Sequence, residues 1–125
     1  MLATLKEEEA RCVLELRPAY VHESDGRPGI DPGEGYWQDI EIAIAGAKVT
    51  KPFLSLPCPI SDGHLSVGEI RMSNIAPTSL SEAKKVSLTI WMMAGGAEIQ
   101  IDGASVCIRT IGERQFAEHF PGSAS

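Results

Sequence analysis

VSLTIWMM, residues 86–93, is the stretch that decides the fold, because its side chains alternate between two faces. One face carries only apolar residues: Val86, Leu88, Ile90 and Met92. In a β-strand every second side chain points the same way, so this set is expected to face a core. Trp91 and Met93 fall on the opposite face. The stretch therefore predicts a strand with an apolar inward side and a second apolar pair on its outward side.

The same period of two recurs on either side of this strand. One inward set precedes a long glycine- and proline-rich segment, and another follows it: Cys12, Leu14 and Leu16, then Ile40, Ile42 and Ile44. Residues 97–101 and 104–111 flank Asp102-Gly103, a dipeptide typical of type I′ turns, which predicts a β-hairpin. Six or seven short strands are expected in all, which favours a single all-β, mostly antiparallel domain over residues 1–125. A β-sandwich and a small barrel both remain open.

Short helical segments are expected at the two termini. Thr4 and Glu7 have the spacing of a capping box at the start of residues 2–10. Phe116 and Phe120 lie one helical turn apart in residues 113–120. Ser79 and Glu82 suggest a third short helix over residues 80–85. The sequence also predicts a turn at residues 62–63 and a β-bulge at residues 68–69.

Composition and charge exclude several classes of function. The 125 residues carry a formal net charge of −6, with 43% hydrophobic and 22% charged residues. Because the 11 lysines and arginines are scattered and outnumbered, we expect no nucleic-acid binding and no attraction to an anionic membrane. The longest apolar run is too short to cross a bilayer. The three cysteines, Cys12, Cys58 and Cys107, are odd in number and widely spaced, which indicates reduced thiols and a cytoplasmic location.

Few residues stand out as candidate site residues. Trp37, Asp39 and Glu41 share the outward face of the strand predicted over residues 36–45, and carboxylates beside an indole are found in sugar hydrolases. Alternation on any half-exposed strand also produces such a set. Trp91 and Met93 are the other candidates, as a ligand-binding or interface pair. The histidines and cysteines lack metal-ligand spacing, so we expect neither a metal site nor a cofactor.

Two functional hypotheses follow. The first is a small, acidic, cytosolic binding or assembly module without catalytic activity. Its partner would be a second copy, in a homodimer formed through Trp91 and Met93, or a basic protein bound as an inhibitor or immunity protein binds its target. The alternative is a small-ligand-binding or metal-dependent enzyme with its site in the mouth of a β-barrel. Its candidate residues are His22, His64, Asp39 and Glu41. Convergence of these side chains on one pocket would favour the enzyme, and dispersal would favour the module.

Overall fold

A computed structural model describes residues 1–23, 32–52, 55–73, 79–93 and 95–120, and these residues form ten β-strands and no helix. The strands are β1 (Leu2–Glu8), β2 (Arg11–Glu23), β3 (Gly33–Ala45), β4 (Lys48–Thr50), β5 (Ile60–Val67), β6 (Ile70–Ser73), β7 (Leu80–Glu82), β8 (Val86–Met92), β9 (Glu98–Gly103) and β10 (Ser105–Phe120). They build two antiparallel sheets of five strands each. Sheet A has the order β1-β2-β3-β10-β7, and sheet B has the order β4-β9-β8-β5-β6.

One hydrophobic core draws side chains from both sheets. Its centre holds Ile44 and Leu14 from sheet A and Met92 and Ile101 from sheet B, all fully buried. Every buried side chain in the described part of the chain is Leu, Ile, Val, Met or Cys, and none is aromatic or charged. Two separate sheets around a shared core correspond to the sandwich rather than the barrel. No helix in the described residues is long and apolar enough to span a membrane.

The alternating stretches behave as their sequences predict. The inward set of β8 is buried, and β8 lies inside sheet B between β5 and β9. Ile40, Ile42 and Ile44 of β3 are buried as well, and β3 lies inside sheet A between β2 and β10. The all-β, antiparallel class is therefore confirmed. A central strand is covered on the core side and paired at both edges, which is why its alternation is the clearest in the sequence.

The predicted hairpin at Asp102-Gly103 is wrong. Both residues lie inside β9, where Gly103 pairs with Val86 of β8. The chain then crosses to the other sheet, and β10 pairs with β3 and β7 instead of β9. Glycine is needed at position 103 for a reason other than a turn. A Cβ there would collide with Cγ2 of Ile44 and lie 2.9 Å from the Ala45 carbonyl oxygen. Gly103 allows the two sheets to approach closely where the chain passes between them.

The helices predicted at the termini are also wrong. Residues 2–8 form β1, and residues 113–120 are the last part of β10. In β1 the register shifts between Leu2 and Thr4, so that Leu2 and Leu5 both pack against the core although they are three residues apart. Thr4 and Glu7, which have the spacing of a capping box, both lie within β1. The helix predicted over residues 80–85 is absent too, because residues 80–82 form β7.

Two smaller predictions on β5 and β6 fail for a related reason. Asp62 and Gly63 lie inside β5 and do not form a turn. Residues 68–69 are the two-residue connection of the β5–β6 hairpin, in which Val67 pairs with Ile70, and not a bulge within one strand. Gly68 has a φ of +60°, as a tight connection requires. Residues 24–31, most of the glycine- and proline-rich segment between β2 and β3, lie outside the described residues.

Three strands of sheet A continue beyond the residues that pair with β1 and β7. At about 3.3 Å per residue, the 13 residues of β3 span roughly 40 Å, whereas the longest strand of sheet B, with 8 residues, spans about 26 Å. β1 pairs with β2 only as far as Leu16, and β7 pairs with β10 only over residues 106–108. The remainder of β2, β3 and β10 forms a three-stranded ribbon, which we call the extension: residues 19–23, 33–38 and 113–120.

Candidate functional site

The extension carries most of the aromatic residues that the structure describes. Four aromatic side chains lie on it, two from β3 and one from each neighbouring strand: Tyr20, Tyr36, Trp37 and Phe116. Tyr20, Trp37 and Phe116 are 42%, 45% and 54% exposed. Since no aromatic side chain among the described residues is buried in the core, these four rings contribute little to the central packing. Large exposed rings gathered on one surface are typical of binding surfaces.

On the outer face of the extension, Tyr20 crosses β3 and reaches β10. A Cβ added to Gly35 would lie 2.5 Å from Cζ and 2.7 Å from Cε2 of Tyr20, so the tyrosine ring lies directly over the glycine. The Tyr20 hydroxyl donates a hydrogen bond of 2.9 Å to Oε1 of Glu118. Glu118 is paired with Gly35 across the β3–β10 ladder. Gly35 therefore leaves the space through which Tyr20 contacts the far strand.

Trp37 completes an aromatic corner next to this bridge. Its ring meets that of Tyr20 edge-on, with centroids 5.5 Å apart and planes at 74°. Tyr20 and Trp37 are directly opposite one another on β2 and β3. Partial desolvation of the ring and the hydrogen bond to Glu118 raise the pKa of the Tyr20 phenol. The corner thus presents two perpendicular rings and a carboxylate to solvent.

On the opposite, core-side face of the extension, the chain places a cation of its own on an aromatic ring. The guanidinium of Arg114 lies 4.1 Å from the centroid of Tyr36, and its Nη1 is 2.5 Å from Oε2 of Glu23. Phe116 meets Tyr36 edge-on at 5.9 Å. This arrangement combines a cation–π contact with a charge-assisted hydrogen bond. An aromatic ring and a carboxylate of the extension thus hold one guanidinium group together.

The extension is strongly acidic. It bears four carboxylates and a single arginine: Glu23, Glu34, Glu113, Glu118 and Arg114. Its formal charge with neutral histidines is −3, half of the net −6 of the chain, on 19 of the 125 residues. His119 is 3.4 Å from Glu34 through Nδ1. An acidic aromatic surface attracts cations and repels polyanions.

The two edges of the extension are protected against pairing with another strand. Within the described residues, neither residues 19–23 of β2 nor residues 109–120 of β10 have a second strand beside them. The ladder between β3 and β10 shifts register between Ile111 and Gln115 and again between Phe116 and Glu118. Bulges and charged side chains hinder edge-to-edge association. The faces of the extension, rather than its edges, are therefore the surfaces suited to binding.

The carboxylates predicted as site residues lie on the outer face of sheet A, in ion pairs. Glu41 Oε2 accepts two hydrogen bonds from Arg109, at 2.7 Å from Nη2 and 3.2 Å from Nε. Asp39 Oδ2 is 3.9 Å from Nε of Arg17, which also pairs with Glu15. Asp39 and Glu41 are thus held by neighbouring arginines. Trp37 is the member of this predicted trio that belongs to the aromatic corner.

Trp91 and Met93 lie on the other sheet, away from the trio. Trp91 is half-buried on the outer face of β8, between Asp62 of β5 and Glu98 of β9. Its ring meets His64 edge-on at 5.1 Å. Met93, just after β8, is 66% exposed. Residues 113–120 do not form a helix over this pair, because they belong to β10 in sheet A. Self-association through Trp91 and Met93 stays a prediction.

The candidates for an enzyme site are spread over two sheets. Asp39 and Glu41 lie on the outer face of sheet A, whereas His64 lies on the outer face of sheet B beside Trp91. His22 lies in β2, opposite Gly35 in the ladder. Among the described residues, no three His, Cys, Asp or Glu side chains are grouped to hold a metal ion. A depression of about 400 Å³ on sheet A, around Cys107, is lined by none of these candidates.

Sequence reasoning identified Trp37 but missed Tyr20, Gly35 and Glu118. Tyr20 and Glu118 are 98 positions apart, and only the pairing of both β2 and β10 with β3 brings them together. A usable signal was the absence of aromatic residues from the inward positions of the clearest strands. No protein-family model matches the chain, and no match is found among curated proteins or solved structures.

Proposed function

We propose that this chain is a non-catalytic, cytosolic binding module that holds a basic protein partner against its extension. One observation carries the proposal: among the described residues no aromatic side chain is buried in the core, and four of them gather with an excess of carboxylates on the extension. Because Tyr20 and Trp37 are 42% and 45% exposed, each forgoes roughly 0.6–1.4 kcal/mol of the about 1.5–3 kcal/mol that full burial of a large apolar side chain contributes. A partner that covers them recovers this free energy.

The charge of the extension supports a basic partner. Four carboxylates steer a positively charged surface toward the ribbon before contact, and rings stabilise lysine or arginine side chains that dock on them. Inhibitor and immunity proteins that block a basic target are one class with this chemistry. The buried Cys12 and Cys58 thiols, which are free, fit a reducing cytosol.

The dispersal of the enzyme candidates also supports the module over an enzyme. General acid–base catalysis needs its groups within hydrogen-bond reach of one reacting centre. Asp39 and Glu41 are occupied by Arg17 and Arg109 on one sheet, while His64 lies on the other. These side chains do not line a common cavity.

The test is a titration of the full chain with two unstructured peptides of equal length, followed by backbone amide NMR. In one peptide arginine and lysine alternate with serine, and in the other glutamate alternates with serine. We expect the basic peptide alone to shift amide signals, concentrated in residues 19–23, 33–38 and 113–120. The variant E113Q/E118Q should weaken its affinity roughly two- to thirtyfold, since two exposed charge interactions contribute about 0.4–2 kcal/mol together.

A charge-matched control separates this surface from general attraction to an acidic protein. E7Q/E8Q removes the same charge from exposed positions of β1 and should change the affinity less than twofold. The proposal is wrong if the basic peptide leaves the amide signals of the extension unchanged at millimolar concentration. Equal weakening by the two double variants would contradict it as well.

A further inference from the structure

We infer that the corner formed by Tyr20, Trp37 and Glu118 is a seat for one arginine side chain of that basic partner. The inference rests on the proposed function and names the anchor within it. The two rings stand at 74° to each other, so one ring can support the flat face of a guanidinium while the other bounds its edge. Glu118 supplies a carboxylate next to the Tyr20 hydroxyl, with which it shares a 2.9 Å hydrogen bond.

The core-side face of the same ribbon contains a filled example of this arrangement. There, Arg114 lies over Tyr36 and pairs with Glu23, so that a ring and a carboxylate hold one guanidinium. The outer face repeats the ring and the carboxylate with Trp37, Tyr20 and Glu118. Within the described residues, no cation of the chain is paired with Glu118. A partner's arginine would supply the cation that Arg114 supplies on the other face.

Arginine fits the corner better than lysine for geometric reasons. A guanidinium is planar and can lie flat on a ring while its N–H groups donate to a carboxylate at the ring's edge. An ammonium group is compact and strongly hydrated, and it lacks a flat face. On the outer face of sheet A, Arg17 pairs with Glu15 at 2.5 Å and with Asp39 at 3.9 Å. The carboxylates of Glu15 and Asp39 thus offset the positive charge of Arg17, which would otherwise repel an incoming arginine.

Gly35 offers a substitution that disturbs the corner without deleting any aromatic residue. A Cβ there would occupy the place of the Tyr20 hydroxyl end, so Gly35→Ala displaces the tyrosine from Glu118. Because Tyr20 is 42% exposed, its side chain can turn into solvent without opening the core. We expect Gly35→Ala to remain folded, with an unchanged far-ultraviolet circular dichroism spectrum.

The experiment uses the full chain carrying Trp91→Phe, which leaves Trp37 as its sole tryptophan. Three peptides that differ only at two central positions, occupied by arginine, lysine or citrulline, are titrated while Trp37 emission is recorded. We expect the arginine peptide to change the emission and to bind about three- to tenfold more tightly than the lysine peptide. The citrulline peptide, which has the shape of arginine without its charge, should bind at least tenfold more weakly. Trp37→Ala and Gly35→Ala, measured by calorimetry in the unmutated background, should each weaken arginine-peptide binding three- to tenfold.

The outcomes separate this inference from the proposed function. If arginine and lysine peptides bind equally, or if Trp37→Ala and Gly35→Ala leave the affinity within twofold while E113Q/E118Q lowers it, the corner is not the seat. The extension would then still bind basic partners. If no basic peptide binds the unmutated chain, the proposed function and this inference both fail. Trp91→Ala is the matched control on sheet B and should leave arginine-peptide affinity unchanged.

Discussion

Gly103 is the position at which one added methyl group should disturb the sandwich most directly. A Cβ there would overlap Cγ2 of the fully buried Ile44 and lie 2.9 Å from the Ala45 carbonyl oxygen. Optimal contacts between carbon atoms are about 3.5–4 Å, so β3 and β9 must separate or Ile44 must leave its preferred position. Overpacking of this kind costs about 1–3 kcal/mol. Alanine also lowers the conformational entropy of the unfolded chain relative to glycine, which stabilises the folded state by about 0.5–1 kcal/mol.

The net expectation for Gly103→Ala is a loss of about 1.3 kcal/mol in the free energy of unfolding, from a mid-range cost of about 2 kcal/mol less a mid-range return of about 0.75 kcal/mol. Urea denaturation would report it as a midpoint lowered by about 0.6 M, for a slope near 2 kcal/mol per molar. The control is Gly63→Ala in β5, where the nearest atom to the new Cβ is the Thr89 carbonyl oxygen at an ordinary 3.4 Å. That variant should be about 0.5–1 kcal/mol more stable than the unmutated chain, because it restricts the unfolded chain without introducing a clash.

A double-mutant cycle tests the stated cause. Ile44→Ala alone should cost about 2–5 kcal/mol, because it leaves a cavity in the core. In the double variant Gly103→Ala/Ile44→Ala, the new methyl group no longer meets Cγ2. The loss of stability measured for the double variant should therefore be at least about 1 kcal/mol smaller than the sum of the losses of the two single variants. Strict additivity, or a Gly103→Ala variant as stable as the unmutated chain, would refute the explanation by close approach of the two sheets.

Two further predictions concern the cysteines. Burial, reinforced by the charge of Glu7, raises the pKa of Cys12 to about 11 from 9.0, so an unfolded thiol ionises at a pH at which the native one stays protonated. The free energy of unfolding should therefore fall by roughly 2–3 kcal/mol as pH rises from about 9 to about 11. Urea midpoints measured at pH 8 and pH 10.5 should show this loss in the unmutated chain but not in Cys12→Ala. A thiol reagent should modify one site rapidly in the native chain, the exposed Cys107, and three after denaturation. Two fast sites in native Cys107→Ser would contradict this assignment.

Short-range patterns predicted the central strands well, because those strands meet similar surroundings along their whole length. The residues of β8 are covered by the core on one side and paired with β5 and β9 at their edges, so alternation alone identifies the inward set. The same holds for the part of β3 between Ile40 and Ile44. Here the sequence pattern and the fold impose the same period of two.

The failures have two physical causes. The first is that a capping-box spacing also occurs within strands, as with Thr4 and Glu7 in β1. Local capping contributes only about 1 kcal/mol, and pairing with a neighbouring strand overrides it. The second cause is the change of sheet after Gly103: a turn dipeptide has local requirements, whereas close contact with Ile44 depends on the assembled sandwich.

The candidate site was less predictable than the fold, because its members come from three strands. Trp37 could be recognised as an outward ring, but its neighbour Tyr20 depends on the register between β2 and β3. Glu118 depends in addition on the two register shifts between β3 and β10. A bulge moves every later residue to the opposite face, so side chains cannot be assigned to a surface before the bulges are located.

The position of β10 in sheet A has a consequence for synthesis on the ribosome. β3 occurs early in the chain, yet the strand that covers its second edge begins at Ser105, paired with Ala45. At about 5–20 residues per second, the 60 residues from Gly46 to Ser105 take roughly 3–12 s to be translated. During that interval one edge of the nascent β1–β2–β3 sheet lacks its final neighbour, and the isoleucines of β3 have no completed second layer above them. The nascent chain is then open to aggregation, and cellular factors that shield unpaired strands would act in that interval.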